Sequence, residues 1–248
     1  MYEIYVCDTE TTGIDLINCD IIELSLIRFK TNEQKTWHLK PLNFDAIEDA
    51  ALRINGHKRE DLEWKTAYGR ETYKDPSEVI VEIENWIMTD NVPSENRIFV
   101  AHNVAFDFPR LNRLWQKCNE EDSFPFGRRS VDTMALSFFL DWCKENMAEG
   151  YSLKNLVKKY KLHNEKAHTA EADTKVTAEV FKAQIAEFKE TISGGDKNLI
   201  EENKSLKLEN EKMKSFFKNL AEGALDNNAS SLISDELYKY ITSLNFHV

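Results

Sequence analysis

The chain has 248 residues, 42% hydrophobic and 30% charged, which is enough for one sizeable core plus an appendage; no apolar run approaches the ~18 residues of a membrane span. Its 32 basic and 43 acidic side chains leave a formal charge of −11, which excludes a protein that coats nucleic acid by long-range attraction but not an enzyme that grips one strand end locally. Cys7, Cys19, Cys118 and Cys143 form no C-x-x-C pair, and Met1-Tyr2-Glu3-Ile4 lacks the basic-then-apolar pattern of a leader, so a cytoplasmic protein with reduced thiols and no structural zinc is expected.

In chain order, residues 2–9 predict a short buried strand, aromatic and β-branched. A second strand is expected at 20–30, where Ile22, Leu24 and Leu26 alternate with Glu23 and Ser25, the pattern of a sheet with one wetter face. A third runs 35–41 and ends at Pro41, which makes a three-stranded antiparallel meander. Residues 45–54 predict a helix that stops before Asn55-Gly56. Residues 76–89 predict another, with Pro76 in the first turn, Asp75 as cap and an apolar stripe of Val79, Ile83, Trp86 and Ile87. A fourth strand at 97–102 leads into a helix carrying Leu111, Leu114 and Trp115. A fifth at Ser130-Val131 leads into a helix from Thr133 capped by Asp132. Helices at 152–160 and 169–191 follow. Strands and helices in this order predict an α/β layer fold with a mixed sheet.

Three short segments carry the chemistry. In Asp8-Thr9-Glu10, residues two apart on a strand share a face, so two carboxylates converge at the strand's end. Such a pair favours a hard cation such as magnesium or manganese, although D-x-E alone is a weak signal that occurs often at the solvated end of a strand. In His102-Asn103-Val104-Ala105-Phe106-Asp107, the aspartate follows a strand end within one turn, where it either joins the acids or complements a helix N-terminus. In His168-Thr169-Ala170-Glu171-Ala172-Asp173, five residues on a helix turn through about 140°, so His168 and Asp173 cannot share a helix face. His168 is expected in the loop before the helix, where its imidazole suits proton transfer near neutral pH or is a surface side chain.

Taken together, these segments resemble the DEDDh (DnaQ-like) 3′–5′ exonuclease family of the RNase H-like superfamily. The first motif stands as Val6-Cys7-Asp8-Thr9-Glu10-Thr11-Thr12-Gly13, the second as Ala101 to Asp107 with Leu111 following, and the third as His168-x-Ala170-x-x-Asp173. Ile54-Asn55-Gly56, Asp132-Thr133 and Tyr151-Ser152-Leu153-x-x-Leu156 add smaller likenesses over residues 3–190. Asn55 departs from the histidine that many polymerase-associated members carry there.

The resemblance implies an RNase H-like mixed five-stranded sheet flanked by helices and a 3′–5′ exonuclease releasing nucleoside 5′-monophosphates. It also implies two Mg²⁺ or Mn²⁺ ions, one on Asp8, Glu10 and Asp173 and the other on Asp8 and Asp107. His168 would be the general base, Thr11 and Thr12 would contact the terminal nucleotide, and Asn103 would fix the second motif. The expected partner is a single-stranded 3′ end. Residues 151–166, with five lysines and one glutamate, together with Arg128 and Arg129, either track its phosphates or form a solvated helix face. A catalytically retired nuclease fold acting as a binding module is the alternative.

Ser193-Gly194-Gly195 is read as a breaker, giving an exonuclease domain at 1–192 and a helical extension at 196–248. Leu199, Leu206, Met213 and Leu220 at heptad position d place Asn203, Asn210 and Phe217 at a. Glu202 and Glu209 at g then face Lys207 and Lys214 at e of a partner helix. This coiled-coil-like pattern predicts a parallel homodimer through residues 199–220, ~33 Å of seam, against the alternative of a helix folded back on its own domain. A replication or repair protein is a further possible partner of the extension. A short amphipathic helix with Leu237, Tyr240, Ile241 and Leu244 is expected near the end.

Overall fold

The structure, a computed structural model, describes residues 2–118, 124–164 and 168–226; the side chains of 194–203, 213–214 and 216–226 are not described. Five strands, β1 (Glu3–Thr11), β2 (Ile21–Arg28), β3 (Glu33–His38), β4 (Arg97–Ala101) and β5 (Ser130–Asp132), form one mixed sheet in the order β3-β2-β1-β4-β5. The meander β1-β2-β3 is antiparallel, whereas β4 and β5 run parallel to β1, so β1, β4 and β5 all end at the same edge.

Strand alternation sends the two faces of β1 to different layers. Tyr5 and Cys7 face a core built with Leu24, Leu26 and Phe99, covered by α4 (Pro76–Met88) and α5 (Val104–Cys118) through Ile83, Ile87, Leu111 and Leu114. Val6, with Ile27 and Val100, faces the opposite way, onto Ala178 and Phe181 of α8 (Ala170–Asp226). A third cluster, with Ile22, Leu52, Leu62 and Tyr73, lies among α1 (Asp49–Asn55), α2 (Arg59–Leu62) and the segment after α3 (Ala67–Thr72). The remaining helices are α6 (Thr133–Cys143) and α7 (Leu153–Lys159).

The caps explain several boundaries. Asp75 accepts the Ser77 amide at the start of α4, and Ser152 accepts that of Asn155 at the start of α7. Asp132 does more than cap its own helix. It accepts amides from Met134 (2.8 Å) and Ala135 (3.4 Å) of α6, and also from Asn103 (3.0 Å) and Val104 (3.2 Å) at the start of α5.

Four sequence expectations are corrected. The face of β2 carrying Glu23 and Ser25 is not wet: every residue of the strand is buried. The start of α8 covers it, where the Glu171 amide donates to Glu23 and the Thr174 hydroxyl donates to the Ser25 carbonyl. The helix expected at 45–54 is a 3-10 turn (Phe44–Ala46) followed by α1. The chain is extended at Ile47 and Glu48 because the Glu48 amide is drawn to the Thr12 carbonyl at 2.8 Å. β3 ends at His38 rather than at Pro41, with Leu39 forming an isolated bridge to Lys74. Ser193-Gly194-Gly195 does not break the helix, since α8 continues to Asp226; a glycine costs only about 1 kcal/mol in a helix interior.

The chain divides into two compact units after Phe188. In the second, Leu206 and Leu208 are 53% and 55% exposed. The side chains of Leu199, Glu202, Asn203, Met213, Lys214, Phe217 and Leu220, and the helix expected around Leu237 to Leu244, lie outside the described residues.

Candidate active site

Asp8 and Glu10 lie on the face of β1 that looks toward α8, directly across from Ser25 and Glu23 of β2. Asp173 sits in the first turn of α8. The result is a group of three carboxylates, Asp8, Glu10 and Asp173, whose nearest oxygens all lie within 4.8 Å of one another. Thr9 points to the other face, and there its hydroxyl donates to Asp107 Oδ1 at 2.7 Å. Asp107 is 2% exposed in the first turn of α5. It is not within the 4.8 Å group, but it lies near enough to act on Asp8.

The electrostatics follow from burial and crowding. Burial pushes the Asp8 carboxyl well above its usual range, and Asp107, Asp173, Glu10 and Glu23 push it further. Burial, then Glu23 and Asp173, raise Glu10 to about 7. Burial raises Asp107 to about 7 as well, against the opposing pull of the Thr9 hydrogen bond. Glu23 behaves differently. Burial pushes it up, but the His57 hydrogen bond and the His38 and His57 rings hold it below the ordinary range.

No lysine or arginine among the described residues forms an ion pair with Asp8, Glu10 or Asp173. Three crowded carboxylates with oxygen donors only, and no built-in counter-charge, fit a hard divalent cation such as Mg²⁺ or Mn²⁺.

The other motif residues are placed as follows. His168 is exposed, in the loop before α8, with φ of 71°; its backbone amide donates to Asp173 Oδ2 at 3.0 Å. Thr11 and Thr12 are buried and their hydroxyls are engaged in the turn: Thr11 donates to the Gly13 carbonyl and Thr12 accepts the Asp20 amide. A Cβ on Gly13 would run into the Glu48 carboxylate and the Cys19 sulfur, so the turn needs glycine. Asn103 is exposed with φ of 64° and is held by its amide to Asp132. Asn55 is buried, donating to the Thr11 carbonyl at 3.1 Å and lowering Glu10 through a side-chain hydrogen bond.

Sequence reasoning missed three neighbours: Thr9, Glu23 and Asn164, whose Nδ2 donates to Asp173 Oδ1 at 2.8 Å. Thr9 lies between the two motif acids, and the alternation of β1 could have flagged it. No local signal marked Asn164. Of the basic segment, Lys154, Lys158 and Lys161 are exposed with no ion pair among the described residues. Lys159 instead binds Asp141 (2.5 Å) and Glu187 (3.5 Å), and Arg129 binds the Tyr2 hydroxyl at 2.9 Å.

The mixed five-stranded sheet flanked by helices is an RNase H-like fold. Escherichia coli exonuclease I, solved in a complex with single-stranded DNA, matches with a TM-score of 0.60 and 17% identity, over 76% of this chain and 41% of its own. The RNase T-type exonuclease family model matches residues 5–181, and the chain belongs to that family. A PolC-type DNA polymerase III of Thermotoga petrophila is 32% identical over 179 residues, 71% of this chain but 11% of the polymerase. The 3′–5′ DNA exonuclease Cap18 of Escherichia coli is 24% identical over 73% of this chain and 90% of its own length. The chain thus spans about a ninth of the polymerase and most of Cap18. No helix among the described residues is long and apolar enough to cross a membrane.

Proposed function

We propose that this chain is a divalent-metal-dependent exonuclease that hydrolyses phosphodiester bonds from the 3′ end of a nucleic-acid strand and releases nucleoside 5′-monophosphates. The observation that carries this reading is the meeting of Asp8, Glu10 and Asp173 within 4.8 Å at the end of β1. These three would hold one ion and Asp8 with Asp107 a second. When bound, such ions lower the pKa of a water and neutralise charge at the scissile phosphate and the leaving 3′-oxygen.

The protein's own groups do the rest. His168 takes the proton of the attacking water on its imidazole, the task for which an exposed loop histidine is suited. Thr9 holds Asp107 by its hydroxyl, so that this acid keeps one orientation. The turn at Thr11 and Thr12 and the exposed Asn103 receive the terminal nucleotide. Exposed Lys154, Lys158 and Lys161 offer charge to the phosphates of a single strand. All four acids and the histidine are present, so a retired binding module is not favoured.

The exonuclease occupies 1–192 and a helical extension 196–248. Residues 199–220 pair with a second copy, a reading supported by the heptad pattern and by Leu206, which is 53% exposed. Light scattering of the full chain at a monomer's 28.8 kDa would remove the dimer. The polymerase relatives support a replication or repair assembly as the wider context, and the dispersed free cysteines support a cytoplasmic setting.

The test of activity is one incubation of the purified chain with Mg²⁺ or Mn²⁺ and 5′-labelled DNA and RNA strands. A ladder shortening from the 3′ end, with the label retained on the longer products, is expected. Full hydrolysis by an Asp8→Ala preparation, or none by the wild type, refutes the reading.

A further inference from the structure

Asn164 belongs to none of the three motifs, yet it touches the acid at the centre of the third. Its Nδ2 donates to Asp173 Oδ1 at 2.8 Å, while the other oxygen, Oδ2, accepts the backbone amide of His168 at 3.0 Å. The side-chain amide of Asn164 presents its NH₂ group to Oδ1. One carboxylate therefore holds the chain at two points four residues apart.

His168 also needs holding. Its φ of 71° lies in the left-handed region, which is unfavourable for a non-glycine residue and persists only where neighbours enforce it. The bond from its amide to Asp173 is one enforcing contact, and the bond from Asn164 fixes the carboxylate that makes it. A carboxylate has about four lone-pair sites, so two hydrogen bonds leave room for a cation on Asp173. Asn164 thus braces the acid rather than competing with an ion for it.

We propose that Asn164 is a positioning residue that sets His168 through Asp173. This rests on His168 being the general base. Because Asn164 acts through His168, its loss should matter only while that imidazole is there to be placed. A residue that merely supported the fold would weaken both backgrounds equally.

The test is a double-mutant cycle on the full chain: wild type, Asn164→Ala, Asn164→Asp, His168→Ala and the double variant Asn164→Ala/His168→Ala. Rates of nucleotide release at saturating Mn²⁺ are measured beside the Mn²⁺ dissociation constant, read by electron paramagnetic resonance without substrate. Asn164→Ala should slow release by roughly tenfold, the scale of a small misplacement of a reacting group, and change Mn²⁺ affinity by less than about threefold. Asn164→Asp, isosteric but without the donor and with a like charge, should be at least as slow. In the His168→Ala background the further loss should fall below about twofold.

Multiplicative losses overturn the proposal. So does a larger fall in Mn²⁺ affinity, or wild-type rates from Asn164→Asp. If the wild type cuts and His168→Ala cuts as fast, the base assignment fails and this inference fails with it. If the wild type does not cut at all, the proposed function itself is refuted.

Discussion

Glu10 makes the metal-free protein pay a penalty that one atom's change should relieve. Its carboxyl is raised from 4.5 to about 7 by burial, then by Glu23 and Asp173. An acid whose folded value exceeds its unfolded one binds its proton more tightly in the native state, so its contribution to stability is full below about pH 4.5 and is lost as pH rises through about 7. The difference of about 2.5 pH units corresponds to roughly 3 kcal/mol against the native state above pH 7, at about 1.4 kcal/mol per unit.

Glu10→Gln keeps the shape and removes the charge. In EDTA near pH 8 the variant should unfold later than wild type by up to about 3 kcal/mol, on the order of 6–12 °C for a unit of this size. Near pH 5 the gap should shrink to about 1 kcal/mol, and it should vanish well below pH 4.5. Saturating Mn²⁺ should reverse the order, because a ligand that binds only the folded state stabilises it by mass action and the variant has lost a ligand. Thermal unfolding of both proteins at several pH values, with EDTA and with Mn²⁺, checks all three. Equal melting temperatures in EDTA near pH 8, or a gap that grows on acidification, would refute the account of a crowded, uncompensated acid cluster.

Three further outcomes are expected. Asp8→Ala or Asp173→Ala should abolish nucleotide release while circular dichroism and cooperative unfolding persist, because the deleted groups are charges in a cluster rather than core. His168→Ala should lose about 10²–10⁴-fold in kcat, the usual worth of a general base, with little change in Mn²⁺ binding. Asp132→Ala should cost on the order of 1–4 kcal/mol in urea unfolding, since one carboxylate caps both α5 and α6 and each cap is worth about 0.5–2 kcal/mol. Its activity should fall too, because α5 carries Asp107 in its first turn.

What the sequence discloses about this fold depends on how local the cause is. The central strands, the Asp75 cap with the apolar stripe of α4, and the Asp132 cap of α6 were legible because period and capping chemistry lie within a few residues of each other. The convergence of Asp8 and Glu10 was legible for the same reason, since strand alternation alone fixes it. The burial of Glu23 and Ser25 was not. Their alternation with Ile22 and Leu24 is that of a half-wet strand, and only the arrival of a helix about 150 residues later, through Glu171 and Thr174, closes that face. Asn164 was hidden likewise, because nothing marks a loop asparagine as the partner of an acid nine residues on. The short helices α2 and α3 carry too few residues to show a period. The continuation of α8 through Gly194 and Gly195 shows how weak a penalty two glycines impose on a long helix.

The placement of the acids follows from the topology of the sheet. A single strand can offer only alternate residues to one face, so β1 gives Asp8 and Glu10 to the α8 layer and no more. The third member of that group comes from the first turn of α8 itself. The remaining acid, Asp107, must come from the opposite layer, because α5 packs on the Tyr5 and Cys7 face. The two layers meet only beyond the ends of the strands. There β1 leads on to its antiparallel neighbour β2, while β4 leads into α5. Thr9, on the wrong face to join Asp8 and Glu10, is the residue that links the layers, by donating to Asp107. The ends of β1, β4 and β5 lie at this edge, so Asp8 and Glu10, the His102-Asn103 turn and Asp132 are neighbours for one reason: three parallel strands finish together.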